Sequence, residues 1–281
     1  MINKNEEKFS ITLKDDFSLS DTLECGQCFR WNKIHDQCYE GVINGEKVIV
    51  QLNGKILTFC TYGVDNLKDQ IIKYFDLDTN YSKIKENLSS RYKNLDLAIK
   101  YAPGIRILNQ NPFETLCSFI ISQNNNIKRI SKIVNTLCEQ FGKKSEHSDV
   151  YSFPTPKRLA ELAPEDLAVL RCGFRVPYLL DAFQKIASGK VNLENLREMP
   201  LDEARQQLMT IYGVGPKVAE CTLLYGLHRL DAFPIDVWMK RAMKTFFPNV
   251  NPNDFGPYAG VAQQYIFHYT RTAQNNIPKN L

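Results

Sequence analysis

Short runs rich in β-branched and aromatic residues alternate with turn residues between positions 9 and 62. Four runs stand out: CFRWNKI (28–34), QCYEGVI (37–43), EKVIVQL (46–52) and KILTFCTY (55–62). Two of the gaps between them contain Asn44-Gly45 and Asn53-Gly54, dipeptides that suit type I′ hairpin turns because both central residues need positive φ. The pattern therefore predicts an antiparallel sheet in this part of the chain.

After Gly63 the apolar residues recur at helical intervals. The helical segments begin with VDNLKDQIIKYFDL, and beyond a polar loop at 143–156 they continue to Arg271. We expect the tail, residues 273–281, to be frayed. The sequence thus predicts an α+β fold, in which a small N-terminal antiparallel β-sheet domain with a helical extension (1–105) precedes a large all-α region (106–281).

Composition and charge place the 281-residue chain among ordinary globular proteins, with 43% hydrophobic and 23% charged residues. The opening MINKNEEKFS is too polar for a signal peptide, and no stretch approaches the roughly 18 apolar residues of a membrane span. We therefore expect a cytoplasmic monomer. A net charge of +4 permits contact with nucleic acid without requiring it.

The eight cysteines are scattered, which argues against a disulfide framework in a chain without a secretory signal. Cys25 and Cys28 have the spacing of redox and zinc sites, but no second pair completes a tetrahedral site. We favour two half-buried thiols flanking a glycine turn over a metal or redox centre, and we expect neither a metal nor a cofactor. No cysteine follows Cys221, which excludes an iron–sulfur loop of four cysteines near the C-terminus.

A helix–hairpin–helix pattern lies at about 202–227. The helix DEARQQLMTIY is followed by Gly213-Val214-Gly215, and a second helix opens at Pro216, the favoured first helical position for proline. Glycines let a backbone approach another molecule closely, and the free N–H groups of the second helix can bind a phosphate. Taken alone, the pattern favours a generic αα turn over a DNA-binding hairpin.

Lys217 changes that balance, because it lies in the first turn of the second helix beside apolar residues. The positive helix end and partial burial both disfavour a cation there, so Lys217 is a candidate amine nucleophile for Schiff-base chemistry. Cys221, at i+4, shares its helix face. Asp236 precedes the helical run VWMKRAMKTF and suits an N-cap, although its carboxylate could also stabilise positive charge on a sugar.

GVGPKVAECTLLYG followed by FPIDVWMKRAM resembles the helix-hairpin-helix DNA glycosylase superfamily, in which a lysine of the second helix and an aspartate beyond it carry the chemistry. Four further segments resemble its 8-oxoguanine DNA glycosylase/lyase family: GQCFRW (26–31), NPFETLCSFIISQNNNIKRI (111–130), RCGFR (171–175) and FGPYAGVAQQYIF (255–267). The resemblance spans nearly the whole chain. It implies a twisted antiparallel sheet packed on a helix-hairpin-helix glycosylase body.

The resemblance implies a pocket for the damaged base. Gly26 would present its carbonyl to N7, which carries a hydrogen in oxidised guanine and a lone pair in guanine, so the carbonyl would accept a bond from the lesion and repel the normal base. Gln263 would read the Watson–Crick edge, and Phe267, four residues on, would stack on the ring with Cys221 on its opposite face. Gln263 and Phe267 at this spacing are also compatible with an ordinary amphipathic helix.

The resemblance also implies contacts with the DNA around the extruded base. Asn124 would fill the vacated space, Phe174 would wedge beside the other strand, and Arg129 and Arg175 would contact the orphaned cytosine. The hairpin glycines, Gly213 and Gly215, would approach a phosphate.

Two positions depart from the family's pattern. Trp238 stands where the family often has histidine, which puts a phosphate contact in doubt, and Phe174 stands where tyrosine is common, which keeps the aromatic wedge but removes a hydroxyl. Lys217 separates the chain from lysine-free alkylbase glycosylases, and the missing cysteine set separates it from the endonuclease III and adenine glycosylase branches.

The implied function is a bifunctional DNA glycosylase and AP lyase that excises 8-oxoguanine from duplex DNA opposite cytosine, with Lys217 as nucleophile and Asp236 as its electrostatic partner. One alternative is a glycosylase of the same fold for another damaged purine. The other is a non-catalytic helix-hairpin-helix DNA-binding module, against which Lys217 and Asp236 together argue.

Overall fold

The computed structural model describes residues 6–62 and 67–273, and the N-terminal part of this range forms a five-stranded antiparallel sheet. The strands are β1 (Glu6–Thr12), β2 (Trp31–His35), β3 (Cys38–Ile43), β4 (Glu46–Asn53) and β5 (Ile56–Tyr62), in the order β1-β5-β4-β3-β2. The predicted antiparallel sheet is confirmed. The N-terminal strand β1 pairs with β5 and was not among the four predicted runs.

The two predicted hairpin turns differ in outcome. Asn44 and Gly45 have φ of 50° and 87° and join β3 to β4 as a type I′ turn requires. The second prediction is wrong by one residue, since Asn53 pairs with Ile56 and leaves Gly54 and Lys55 as the loop. Of these two, only Gly54 has positive φ, the pattern of a type II′ turn with glycine first.

The other named elements of the described chain are helices, which loops connect. The α-helices are α1 (Leu19–Leu23), α2 (Leu67–Tyr74), α3 (Tyr81–Ser89), α4 (Lys93–Tyr101), α5 (Pro112–Ser122), α6 (Ile127–Phe141), α7 (Pro156–Ala160), α8 (Val176–Ala187), α9 (Leu201–Met209), α10 (Pro216–Tyr225), α11 (Val237–Phe246) and α12 (Ala259–Thr272). Short 3-10 helices lie at Asp166–Leu170, Gly173–Arg175, Glu194–Arg197 and Pro252–Tyr258. The α+β fold is therefore as predicted.

Two hydrophobic cores meet where the sheet joins the helical body. The smaller core packs the sheet against α2 and includes Leu108, whereas Ile105 and Ile107 belong to the larger, helical core. Alternate residues of the segment 105–108 thus face different cores. The division at residue 105 stays a prediction, and the segment that contains it ties both halves together.

None of the described helices is long and apolar enough to cross a membrane. Of the tail predicted to fray, residues 274–281 lie outside the described residues.

Candidate active site

Lys217 lies in the first turn of α10, directly after the predicted hairpin. Gly215 is the N-cap of this helix and Pro216 its first residue, and no side chain caps the helix. The half-buried Lys217 side chain extends towards α5, where Nζ donates a hydrogen bond of 3.2 Å to Ser122 Oγ and lies 4.7 Å from the centre of the Phe119 ring. The amine is thus held in a defined place with an aromatic face beside it.

Cys221 lies beside this amine, and Asp236 lies near Cys221. Burial raises the pKa of the Cys221 thiol to about 11; the positive charge of Lys217 partly opposes that rise, and the carboxylate of Asp236 adds to it. Asp236 is the N-cap of α11, and its Oδ1 accepts the Met239 N–H at 2.8 Å. The structure therefore brings the three predicted residues together and confirms the predicted cap.

The loop that carries Gly26 is anchored by its neighbour Gln27, which is 1% exposed. Gln27 Nε2 donates to the carbonyls of Thr22 and Arg106, each at 2.8 Å, and its Oε1 accepts the Leu108 N–H at 2.9 Å. Gly26 itself has φ of 90°, a left-handed conformation that glycine adopts without strain. The backbone of Gly26 is therefore fixed by bonds to a segment some eighty residues later in the chain.

A second glutamine joins this loop to α10, the helix that carries Lys217. Gln110 Nε2 donates to the Gln27 carbonyl at 2.7 Å, while the Gln110 N–H donates to the carbonyl of Tyr225 at the end of α10 at 2.9 Å. The buried Tyr225 hydroxyl then donates to Gln263 Oε1 at 3.5 Å and Gln264 Oε1 at 2.5 Å on α12. Tyr225 therefore connects three elements by hydrogen bonds: the Gly26 loop, α10 and α12. We call these three elements together the Tyr225 wall.

On α12, Gln263 is buried and Phe267 is half-buried. Successive turns of a helix present residues four apart on one face, so Gln263 and Phe267 share the face that meets Tyr225 and the Gly26 loop. The four residues predicted for the base pocket thus lie on elements that are directly bonded to one another.

The turn between α5 and α6 presents Asn124, which is exposed and has φ of 48°. Arg175 stabilises this turn by hydrogen bonds to its backbone carbonyls. It is 3% exposed, its Nε and Nη2 donate to the Gln123 carbonyl, Nη2 also donates to the Asn124 carbonyl at 3.0 Å, and Nη1 donates to the Cys172 carbonyl. The cytosine contact that the resemblance implies for Arg175 stays a prediction. In the structure most of the Arg175 donors bond to backbone carbonyls, and one Nη1 hydrogen remains.

Arg129, the second predicted cytosine contact, is exposed at the start of α6 and donates through Nη2 to the Arg171 carbonyl at 3.1 Å. Burial and then the charge of Arg129 lower the pKa of Arg175, so the two guanidinium groups are neighbours. Phe174 is 53% exposed, and its ring centre lies 4.3 Å from the Arg175 guanidinium carbon. Asn124, Arg129, Phe174 and Arg175 therefore form one surface.

The hairpin packs against the same surface through Tyr178. A Cβ at Gly213 would lie 2.2 Å from Tyr178 Cγ, and φ at Gly213 is 77°, so no other residue fits there without strain. The Tyr178 ring in turn contacts Phe174 and Tyr212, with ring centres 6.0 and 4.9 Å apart. At Gly215 an added Cβ would meet nothing within 4 Å, so this glycine faces open space.

Trp238 lies in the first turn of α11 and is 41% exposed, with the Arg241 guanidinium 5.8 Å from its ring centre. Val237 and Lys240 beside it are also exposed. An exposed indole among basic side chains suits a nucleic-acid backbone, although its N–H offers one donor where histidine can offer a charge.

Several residues of the site carried no signal in the sequence. Ser122 and Phe119 contact Lys217 from α5, 95 and 98 positions away, and a single sequence does not reveal such pairs. Arg271 could have been found, because it continues the spacing of Gln263 and Phe267 by four residues. The eight cysteines are buried, burial raises the pKa of Cys25 to about 12, and within 6–62 and 67–273 no three His, Cys, Asp or Glu side chains cluster as a metal site.

Chemically, the arrangement offers an amine beside a thiol, with a carboxylate near that thiol. The helix that carries the amine is bonded to the Gly26 loop and to the helix that carries Gln263 and Phe267. An amine can form an iminium ion with an aldehyde-like carbon, and a carboxylate nearby stabilises positive charge as it develops.

Comparison with known proteins identifies the family of this chain. Residues 9–116 match the family model for the N-terminal domain of 8-oxoguanine DNA glycosylase, and residues 117–253 match that of the HhH-GPD superfamily of base excision DNA repair proteins. An N-glycosylase/DNA lyase of Saccharomyces cerevisiae is 35% identical over 260 residues, which is 82% of this chain and 68% of that protein.

Two solved structures share the fold over nearly their whole length. A structure of MBOgg1 in complex with a low-affinity DNA ligand has 41% identity and a TM-score of 0.88, over 97% of this chain and 99% of that one. The 8-oxoguanine glycosylase/lyase of Clostridium acetobutylicum, in complex with duplex DNA containing cytosine opposite 8-oxoguanine, has 36% identity and a TM-score of 0.87, over 99% of each chain. With its sheet, hairpin and Lys217 in place, the chain belongs to the 8-oxoguanine DNA glycosylase family of the HhH-GPD superfamily.

Proposed function

We propose that the protein is a bifunctional DNA glycosylase and AP lyase, which excises 8-oxoguanine opposite cytosine in duplex DNA and then nicks the strand. The observation that carries the proposal is the position of Lys217 Nζ, which lies 3.2 Å from Ser122 Oγ and beside Cys221, the thiol whose pKa the nearby Asp236 carboxylate also raises. The names of its relatives support both activities, since they are called N-glycosylase/DNA lyase and 8-oxoguanine glycosylase/lyase.

The chemistry starts with extrusion of the damaged nucleotide, because its C1′ atom is out of reach inside the duplex. The Lys217 lone pair forms a bond to C1′ as the bond from C1′ to N9 breaks, and the departing base takes up a proton. Asp236 stabilises the positive charge that develops on the sugar. The amine adduct opens the sugar ring to a Schiff base, after which loss of a C2′ proton expels the 3′ phosphate and nicks the strand.

The lesion is recognised by residues of the Gly26 loop, α10 and α12, the three elements of the Tyr225 wall. The Gly26 carbonyl accepts a hydrogen bond from N7–H of the oxidised base, and it opposes the N7 lone pair of guanine. Gln263 bonds to the Watson–Crick edge, and the base stacks between Phe267 and Cys221. The bonds of Gln27 and Gln110 hold this carbonyl in place against α10.

On the opposite strand, Asn124 occupies the space of the extruded base and Phe174 wedges beside the orphaned cytosine. Arg129 and the remaining Nη1 hydrogen of Arg175 donate to cytosine N3 and O2, while the Asn124 side chain accepts from its amine. The hairpin at Gly213 and Gly215 presents uncapped backbone N–H groups of α10 to a phosphate, and Trp238 lies against the DNA backbone.

The test is covalent trapping. Wild-type protein incubated with 8-oxoguanine DNA and borohydride yields a stable protein–DNA adduct, because borohydride reduces the Schiff base. Lys217→Gln keeps the length of the side chain and loses the amine, so we expect it to bind the lesion without forming the adduct. Lys157→Gln, which removes an exposed lysine of α7, is the control and should trap as the wild type does.

The outcomes separate the three functions considered. An adduct with Lys217→Gln means that another amine is the nucleophile. Wild-type protein that binds DNA yet neither excises the base nor forms an adduct is a non-catalytic module, and excision of an alkylated purine in preference to 8-oxoguanine assigns the chain to a different lesion.

A further inference from the structure

Arg271 extends the base-reading face of α12 by one turn. Gln263, Phe267 and Arg271 follow one another at intervals of four residues, and helical side chains lean towards the N-terminus, so the Arg271 side chain runs back towards Phe267. Its guanidinium carbon lies 5.2 Å from the centre of the Phe267 ring. The cation is therefore within cation–π distance of the ring proposed to stack on the base.

The same guanidinium stands beside Gly26. A Cβ built on Gly26 would lie 3.6 Å from Arg271 Nη1, which is ordinary van der Waals contact. Arg271 thus bridges from the ring that stacks on the base to the loop that reads N7.

The N–H groups of the Arg271 guanidinium are available to donate hydrogen bonds. Within the described part of the chain, no acceptor takes a hydrogen bond from it and no carboxylate pairs with it. It lines a cavity of about 510 Å³ with Asp21 and Glu24, yet these acids have other partners: Asp21 lies 3.5 Å from His268, and Glu24 accepts from Tyr39. An arginine that lines a cavity and makes no hydrogen bond can donate its N–H groups to an acceptor atom of a ligand.

The lesion has such an acceptor at this point. Oxidised guanine differs from guanine at two adjacent atoms: N7 gains a hydrogen, and C8 gains a carbonyl oxygen, O8. An amide-like edge of this kind is complementary to one acceptor and one donor placed side by side. The Gly26 carbonyl supplies the acceptor in the proposed function, and Arg271 offers a donor beside it.

We propose that Arg271 is a second lesion-reading residue, which donates a hydrogen bond to O8 while the Gly26 carbonyl accepts from N7–H. The inference rests on the proposed 8-oxoguanine activity and deepens it. Guanine is then rejected at both atoms, since its N7 lone pair faces a carbonyl and its C8–H faces an N–H donor. Arg271 leaves the Phe267 face, or slides along it, when the purine stacks there.

A substrate–protein double-mutant cycle tests the proposal. The substrates are duplexes with 8-oxoguanine or 8-thioguanine opposite cytosine; the second keeps N7–H and replaces O8 by sulfur, a weak acceptor. Single-turnover excision rates are measured for wild type and Arg271→Met. We expect the wild type to prefer 8-oxoguanine by about tenfold, as befits one charge-assisted bond in a partly exposed site, and Arg271→Met to lose most of that preference.

Two controls isolate the effect. Arg158→Met removes the same charge from exposed α7 and should keep the tenfold preference. A third duplex, containing 6-thio-8-oxoguanine, weakens the acceptor at O6 instead. Borohydride trapping on an abasic site, together with the melting temperature, verifies that Arg271→Met is folded and that its amine chemistry is intact.

The preference for oxygen at position 8 decides the matter. An unchanged preference for oxygen at position 8 in Arg271→Met overturns the inference. A loss of preference confined to the comparison of oxygen with sulfur at position 6 also overturns it, because that result would place the donor at O6. A uniform loss on every duplex, abasic DNA included, assigns Arg271 to a phosphate and also overturns it. Failure of the wild type to excise 8-oxoguanine at all instead removes the proposed function beneath it.

Discussion

Asp236 has two duties in the structure, and a pair of substitutions separates them. As N-cap of α11 it accepts the Met239 N–H at 2.8 Å, and as a carboxylate it lies close enough to Cys221 to raise the pKa of that thiol. Asn keeps an oxygen that can cap the helix and removes the charge. Ala removes both.

The magnitudes follow from these contacts. A cap lost to Ala costs about 1 kcal/mol, whereas Asn caps as well as Asp, so we expect Asp236→Ala to lower the free energy of unfolding and Asp236→Asn to change it by less than about 0.5 kcal/mol. Loss of a preorganised charge at the reacting centre costs about a hundredfold in rate. Both variants should therefore excise 8-oxoguanine about a hundredfold more slowly than the wild type.

The assay combines chemical denaturation with single-turnover excision at saturating enzyme, so that weaker binding does not enter the rate. Normal excision by Asp236→Asn would leave Asp236 with a structural role alone. An Asn variant that is as unstable as the Ala variant would equally refute the reasoning, because the lost rate could then come from a displaced α11.

Two further predictions concern the DNA surface. Gly213→Ala should lower the free energy of unfolding by about 2 kcal/mol or more, measured by denaturation, because the new methyl group meets the Tyr178 ring and φ is positive. Gly215 faces open space and has φ of −97°, so Gly215→Ala should change the free energy of unfolding by less than about 1 kcal/mol. The same variant should bind duplex DNA more weakly in a titration. Arg129→Ala should shrink the preference for cytosine over adenine opposite the lesion, which we expect to be about tenfold to a hundredfold in the wild type; an equal loss opposite all four bases would make Arg129 a phosphate contact.

The sequence was most informative where the candidate site consists of residues close together in the chain. Lys217 and Cys221 are four apart on one helix, and Asp236 directly precedes another, so helical periodicity and capping preference were enough to place all three. The β3–β4 turn was equally local, since Asn44-Gly45 has few other uses. At Asn53-Gly54 the same dipeptide was misplaced by one residue, because strand register, a long-range property, decided which residues formed the loop.

Contacts between distant segments could not be read in this way. Gln27 bonds to the Arg106 carbonyl across 79 positions, and Lys217 meets Ser122 across 95. No periodicity links such residues, and the fold alone determines that the Gly26 loop lies against α10. The resemblance to a family supplied Gly26 as a candidate, but only the bonds of Gln27 and Gln110 explain how its carbonyl is held.

The two arginines, Arg175 and Arg271, show why residue type alone is a poor guide to a binding surface. Resemblance pointed to Arg175 as a cytosine contact. Arg175 is 3% exposed and makes four hydrogen bonds to backbone carbonyls, which shape the Asn124 turn and leave one Nη1 hydrogen for that contact. Arg271 drew no attention in the sequence, yet it is exposed and makes no such bonds within the described residues. A donor that the fold has already used stabilises the site, whereas an unused donor at a pocket edge can discriminate between ligands. The proposed role of Arg271 at the lesion therefore rests on a guanidinium that makes no hydrogen bond within the described residues, a property that only the tertiary structure reveals.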